Sequence, residues 1–231
     1  MATRKEEVLS QTTHRLLESL ASHNFVLEER GKTLAYYTPD RLMKIEIIFL
    51  IPRRIFHDKL KAIPLLQFCS RTIKKWWKEE NLPNPTDVFF SAHLCDISPR
   101  IPPYEWIISG DQQSRSVDEI AGLIDNLVVP LFGKLTNPAT VVEVMSKRVW
   151  AISDGLRYDV SPPPLDYVLY YGSSELARKL FNTCIEKNSN WAQQAIMRHR
   201  ELDKRKGSST EQIFSSGSRW VNLAYVSGLH A

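Results

Sequence analysis

Hydrophobic and polar positions change period along this chain, and each change marks an element. Residues 4–23 place Leu9, Leu16, Leu17 and Leu20 at helical spacing with Glu6, Glu7, Arg15 and Glu18 off that stripe, which predicts an amphipathic opening helix lying across a sheet. Phe25 to Glu29 and Thr33 to Tyr37 flank Arg30-Gly31-Lys32 and read as a hairpin whose turn uses Gly31 for a positive φ. Met43 to Ile51 is β-branched and aromatic, holds no Gly or Pro and is closed by Pro52, so it predicts a central strand covered on at least one face. A helix followed by three neighbouring strands argues for an antiparallel sheet with one covered face.

Downstream, Pro64, Leu65, Phe68, Cys69, Thr72, Ile73 and Trp76 recur at three- and four-residue steps, predicting a second helix from Pro64 to Asn81 with the proline in its first turn. Asp87 to Ile97 and Tyr104 to Ser109 return to strand composition around the turn Pro99-Arg100-Ile101-Pro102-Pro103, for a total of about five strands. Ser116-Val117-Asp118-Glu119 has capping-box spacing ahead of Ile120, Ala121, Ile124, Leu127 and Val128, so a helix is expected to start there and to end or kink at Pro130. Asn137 and Pro138 open another through Val141, Val142 and Met145, as cap and first helical residue.

Ser161-Pro162-Pro163-Pro164 is a rigid break. Beyond it, Leu176, Ala177, Leu180, Phe181, Cys184 and Ile185, then Trp191, Ala195, Ile196 and Leu202, predict a helical hairpin joined at Asn188-Ser189-Asn190. The expected class is α+β: an antiparallel sheet of about five strands covered by helices, with a helical C-terminal half. The expected division is a core domain over 1–160, a helical hairpin appendage packed on it over 161–206, and a flexible or docked tail over 207–231. Gly207-Ser208-Ser209-Thr210 and Ser215-Ser216-Gly217-Ser218 have linker composition, yet Trp220, Val221, Leu223, Tyr225 and Val226 follow. Such an apolar group either docks on its own domain or waits for a partner, which makes Trp220 and Tyr225 candidate partner-docking residues.

The 231 residues are 43% hydrophobic and 24% charged, ample for a core without metal or disulfide staples. Cys69, Cys95 and Cys184 are widely separated and odd in number, as expected of buried thiols in the reducing cytoplasm. The first 20 residues are charged throughout, unlike a signal peptide, and no apolar run reaches the roughly 18 residues of a membrane span.

A helix, then a small sheet ending in Tyr104-Glu105-Trp106-Ile107, then a helix leading into Leu127-Val128-Val129-Pro130-Leu131-Phe132-Gly133-Lys134-Leu135 resembles the bacterial family of unknown function DUF4304. The resemblance covers residues 5–150 and is carried by Trp106 and the aliphatic-Pro-aromatic segment. It implies an α+β fold and brings no established activity or catalytic residues. The stretch from Pro64 to Asn81 and the tail after Gly207 depart from it.

No spacing fixes a reaction. Gly133-Lys134-Leu135-Thr136 lacks the upstream Gly of a phosphate loop and the Ser or Thr directly after its Lys. His93 and Asp96 stand three apart on an expected strand, hence on opposite faces, and His57-Asp58 has no evident partner. No catalytic, cofactor-binding or metal-binding residue is therefore assigned. Net charge is +4, and the cations cluster: Arg198, Arg200, Lys204, Arg205 and Lys206 near one helix end, Arg53 and Arg54, and Lys74 and Lys75 beside Trp76. These are the candidate polyanion-binding residues. The expected function is a non-catalytic, intracellular protein-binding protein of immunity or accessory type, with nucleic-acid association through the basic C-terminal helix as the alternative. The positive charge argues against inhibition of a basic nuclease.

Overall fold

Alternation builds the sheet. Strand β3, Met43–Leu50, buries Met43, Ile45, Ile47 and Phe49 and leaves Lys44, Glu46, Ile48 and Leu50 half-buried or exposed, the period of a strand with one core face. The computed structural model describes residues 4–29, 32–52, 59–98, 105–139, 141–142, 164–205 and 207–229. Among them lies an α+β arrangement with a six-stranded antiparallel sheet and a helical C-terminal half. The strands are β1 (Val26–Glu28), β2 (Thr33–Tyr37), β3, β4 (Lys61–Ser70), β5 (Val88–His93) and β6 (Trp106–Ile107). Their order is β1-β2-β3-β4-β5, with β6 paired to β4. Register sets Val26 opposite Ala35, and Ala35 opposite Glu46. The expected hairpin is present; Gly31 lies outside the described residues.

The helices are α1 (Arg4–Ser19), α2 (Arg71–Glu79), α3 (Gln113–Leu123), α4 (Val129–Leu135), α5 (Leu165–Tyr171), α6 (Ser174–Lys187), α7 (Ser189–Lys204), α8 (Thr210–Phe214) and α9 (Arg219–Val226). The chain forms two compact units interleaved in sequence. The first contains the described residues of 4–69 and 91–136, and the second those of 70–90, 137–142 and 164–229.

In the first unit, α1 packs Leu9 and Leu16 together with the buried Thr12 and Thr13. Their hydroxyls donate to the carbonyls of Val8 (2.8 Å) and Leu9 (3.1 Å), and Gln113 Nε2 of α3 donates to Thr12 Oγ1 at 3.0 Å. Polar side chains inside a helix seam are tolerable only when satisfied in this way. Phe132 of α4 closes the covered face of the sheet, its ring 5.6 Å from Tyr36 and 6.4 Å from Phe68.

Local expectations fail at particular residues. Residues 61–70 are strand, not helix: Ala62, Leu66 and Phe68 are fully buried while Ile63, Leu65 and Gln67 are half-buried. The segment matches both periods, and the neighbouring apolar strand β3 selects period two. Helix starts only after Ser70, whose Oγ accepts from the Ile73 amide at 3.2 Å, an N-cap. The strand expected over 87–97 ends at His93 and gives way to a 3-10 turn, Leu94–Ile97. The last strand is confined to Trp106–Ile107.

Ser116 does not cap α3, which begins three residues earlier; its hydroxyl instead donates to the Ile107 carbonyl at 2.8 Å. At Pro130, expected to end or kink the helix, the chain stays helical. A π turn over Ile124–Val128 precedes it, and Pro130 occupies the first turn of α4. A wider turn relieves the clash of the ring with the carbonyl four residues back. After Asn137, residues 138–139 and 141–142 are helical; Met145 and residues 161–163 of the proline run lie outside the described residues.

The second unit contains the expected hairpin of α6 and α7. Ser173 Oγ accepts from the Leu176 amide, and Asn188 Oδ1 from the Trp191 amide, each at 3.1 Å. Helix α5 follows Pro164 directly and has no counterpart in the sequence expectations.

Candidate functional site

The face of β3 turned away from the core is half-buried to exposed. Alternation places Ile48 and Leu50 of β3 on it with Ile63 and Leu65 of β4, and Leu50 is 40% exposed. The polar end is organised. Lys44 pairs with Glu46 and lies 3.7 Å from Glu28, the Tyr37 hydroxyl donates to Glu28, and the Arg41 guanidinium sits 4.3 Å over the Tyr37 ring. Cys69 Sγ donates to Glu46 Oε2 at 3.8 Å. Burial pulls the Lys44 ammonium down, but the hydrogen bond and charge of Glu46, with the charge of Glu28, outweigh it and raise it. The bond to Glu28, then burial, raises Tyr37. These side chains are fixed by one another, so they are ordered without any further contact.

The residues singled out for polyanions differ in their surroundings. Arg198 is 8% exposed, and its guanidinium donates to Asn222 Oδ1 (3.0 Å), Glu201 Oε2 (2.7 Å) and the carbonyls of Ile213 (2.6 Å) and Ser216 (3.0 Å). Its expected role is corrected: a side chain so used holds its own fold together. Arg205 is exposed but pairs with Glu201 at 3.0 Å. The hydrogen bond from Arg198, ahead of the charges of Arg198 and Arg205, holds the Glu201 carboxyl low. Arg200 and Lys204 are exposed. On α2, Lys75 is exposed and Lys74 half-buried. Arg53, Arg54 and Lys206 lie outside the described residues.

Trp220, expected either to dock on its own domain or to await a partner, is 8% exposed, with its ring 5.5 Å from Phe181 and 5.8 Å from Trp191. Its apolar surface is spent within the second unit. Tyr225 is half-buried; its hydroxyl donates to Asp203 at 3.1 Å and its ring meets His199 at 5.3 Å.

His93 and Asp96 do meet, against expectation, because β5 ends at His93 and the 3-10 turn brings Asp96 back. His93 Nδ1 is 3.3 Å from Asp96 Oδ2, the His93 amide donates to the same oxygen at 3.2 Å, and Cys95 Sγ donates to Oδ1 at 3.5 Å. The carboxylate closes a turn. A cavity of about 320 Å³ in this unit lies elsewhere, lined by Arg4, Lys59, Ser109, Gly110, Asp111 and Gln112. His57 and Asp58 lie outside the described residues, and Gly133 to Leu135 are helical. Among the described residues no group of three or more His, Cys, Asp or Glu gathers to hold a metal ion, and no helix is long and apolar enough to cross a membrane. The three cysteines are buried, and burial pushes the Cys184 thiol up to about 12.

Sequence reasoning missed one charged cluster in the second unit. Arg219 Nη2 donates to Asp166 Oδ2 at 3.1 Å, Nη1 to the Val88 carbonyl at 3.2 Å, and the guanidinium lies on the Trp77 ring. Burial raises the Asp166 carboxyl to about 6, against the lowering effect of Arg219, the Tyr167 and Asp166 amides and the nearby Trp77 indole N–H. That indole N–H is buried and makes no full hydrogen bond. A lone Asp and a lone Arg separated by 53 positions carry no spacing signal.

No family model, no curated protein and no solved structure matches the chain.

Proposed function

We propose that this protein is a non-catalytic, cytoplasmic binding protein whose partner is another protein, engaged through the open face of β3 and β4. One observation carries this: the row Ile48, Leu50, Ile63 and Leu65 is half-buried or exposed beside polar side chains already paired with one another. An apolar centre beside an ordered polar rim is the anatomy of a recognition surface. The bacterial setting and the immunity or accessory role belong to the same proposal and rest on the DUF4304 resemblance. The alternative, nucleic-acid association through the end of α7, is weakened because Arg198 is consumed internally.

The test is affinity capture with the wild-type chain and with Ile48→Lys/Leu50→Lys, after thermal melts establish that both fold. A protein retained by the wild type and lost by the variant supports the proposal. Equal retention by both chains overturns it.

A further inference from the structure

Neighbouring charges in the first unit pair: Lys61 with Glu105 at 2.7 Å, and Lys32 with Glu6 at 3.0 Å. The cavity of about 320 Å³ lined by Arg4, Lys59, Ser109, Gly110, Asp111 and Gln112 departs from that habit. Among the described residues, the side chains of Arg4, Lys59, Asp111 and Gln112 make no hydrogen bond or ion pair, and all four residues are exposed. Ser109 Oγ accepts from the Leu60 amide at 2.8 Å, which leaves its own O–H to donate elsewhere.

The frame behind these groups is tied down. The Ile108 amide donates to the Leu60 carbonyl at 2.8 Å, Lys61 stands opposite Ile107 in the register of β4 and β6, and Gln113 Nε2 donates to Thr12 Oγ1 of α1 at 3.0 Å. Lys59, residues 109–112 and the first turn of α1 thus ride on connected backbone, and their polar groups line one space open to solvent. No aromatic or aliphatic side chain lines it.

We propose that this cavity binds a small phosphorylated polyol, such as a sugar phosphate. Arg4 and Lys59 take the phosphate: a dianionic monoester matches two cations, whereas a single carboxylate matches one. Asp111 and the Gln112 side-chain carbonyl accept hydroxyl hydrogens at the polyol end, and the Ser109 O–H donates to a ligand oxygen. A volume of about 320 Å³ lies at the small end of ligand sites. Walls without an aromatic or aliphatic side chain give a nucleobase or an acyl chain nothing to pack on. Because the frame is already fixed, binding does not have to order it.

The test is isothermal titration calorimetry of the full chain at low salt with ribose 5-phosphate, inorganic phosphate and ribose. Succinate and L-serine serve as ligands that match the charges without a phosphate. The expected result is a Kd for ribose 5-phosphate below about 1 mM, the range in which small metabolites fill their sites, with inorganic phosphate weaker and ribose not bound. Arg4→Gln and Lys59→Gln each weaken ribose 5-phosphate about threefold or more and leave the thermal melt unchanged, since neither side chain has a partner in the fold. Asp111→Asn removes a like charge and so tightens inorganic phosphate, narrowing its disadvantage against ribose 5-phosphate. Absence of saturable binding of ribose 5-phosphate overturns the proposal. So does binding indifferent to both cation variants, a gap unchanged by Asp111→Asn, or an affinity for inorganic phosphate, succinate or serine equal to that for ribose 5-phosphate.

Discussion

The Arg219 guanidinium lies 4.0 Å from the centroid of the Trp77 ring. The same group holds the Asp166 carboxylate and the Val88 carbonyl, so one side chain of α9 ties together three other segments of the second unit. Removing it leaves a buried carboxylate without its counter-charge. Because Arg219 is one-third exposed, Arg219→Ala is expected to cost about 3 kcal/mol, the lower end for breaking a buried pair. Arg219→Lys is expected to cost less, since it keeps the charge and loses the planar contact with Trp77. Urea unfolding of the three chains measures both.

The Asp166 carboxyl is raised from 3.8 to about 6, chiefly by burial. The folded chain therefore holds this proton more tightly than the unfolded chain does. The group's contribution to stability is fullest below pH 4, falls as pH rises from about 4 to about 6, and is level above that. The stability of the wild type relative to Asp166→Asn is expected to decline across that window. Urea midpoints for both chains at pH 4, 5, 6 and 7 check it, and a constant difference contradicts it.

Gly217 has φ +81°, and a Cβ there would come within 3.0 Å of Arg198 Nε. Gly217→Ala is expected to cost about 1–2 kcal/mol from the left-handed backbone alone, and more if the Arg198 bonds to Ile213 and Ser216 are displaced. Arg198→Lys is not expected to substitute, because one ammonium cannot reach acceptors spread around a planar fork. Hydrogen exchange over 210–226 reads the loss locally.

Leu65 and Leu66 separate the two periods that residues 61–70 satisfy. Leu66 is fully buried and Leu65 half-buried. Leu66→Lys is expected to unfold the chain or cost more than about 3 kcal/mol, and Leu65→Lys to cost under about 1 kcal/mol. A helix over this segment would place Leu65 on the buried stripe and make that substitution the more damaging. Thermal melts of both variants check the assignment.

The sheet was legible where a single period dominates. Met43 to Leu50 alternates without interruption, and the stripes of α6 and α7 keep a single helical period on either side of the joint at Asn188. It was not legible where local signals compete with tertiary contacts. Ser116 has the spacing of a cap but serves Ile107, a partner on another element. His93 and Asp96 were placed on opposite faces because nothing local announces that the strand stops at His93. Arg198 looked like one of a run of surface cations, and only the fold of residues 213–222 around it shows otherwise. The open face of β3 follows from the alternation, whereas the mutual fixing of Glu28, Lys44 and Tyr37 depends on a register set by the hairpin.

The central claim is that the open face of β3 and β4 meets another protein. A photo-crosslinking residue placed at Leu50, with a control at the exposed His14 of α1, tests it in cells of the organism that makes the chain. The account predicts one discrete adduct from position 50 and none from position 14. No adduct at position 50, or the same adducts from both positions, would contradict it.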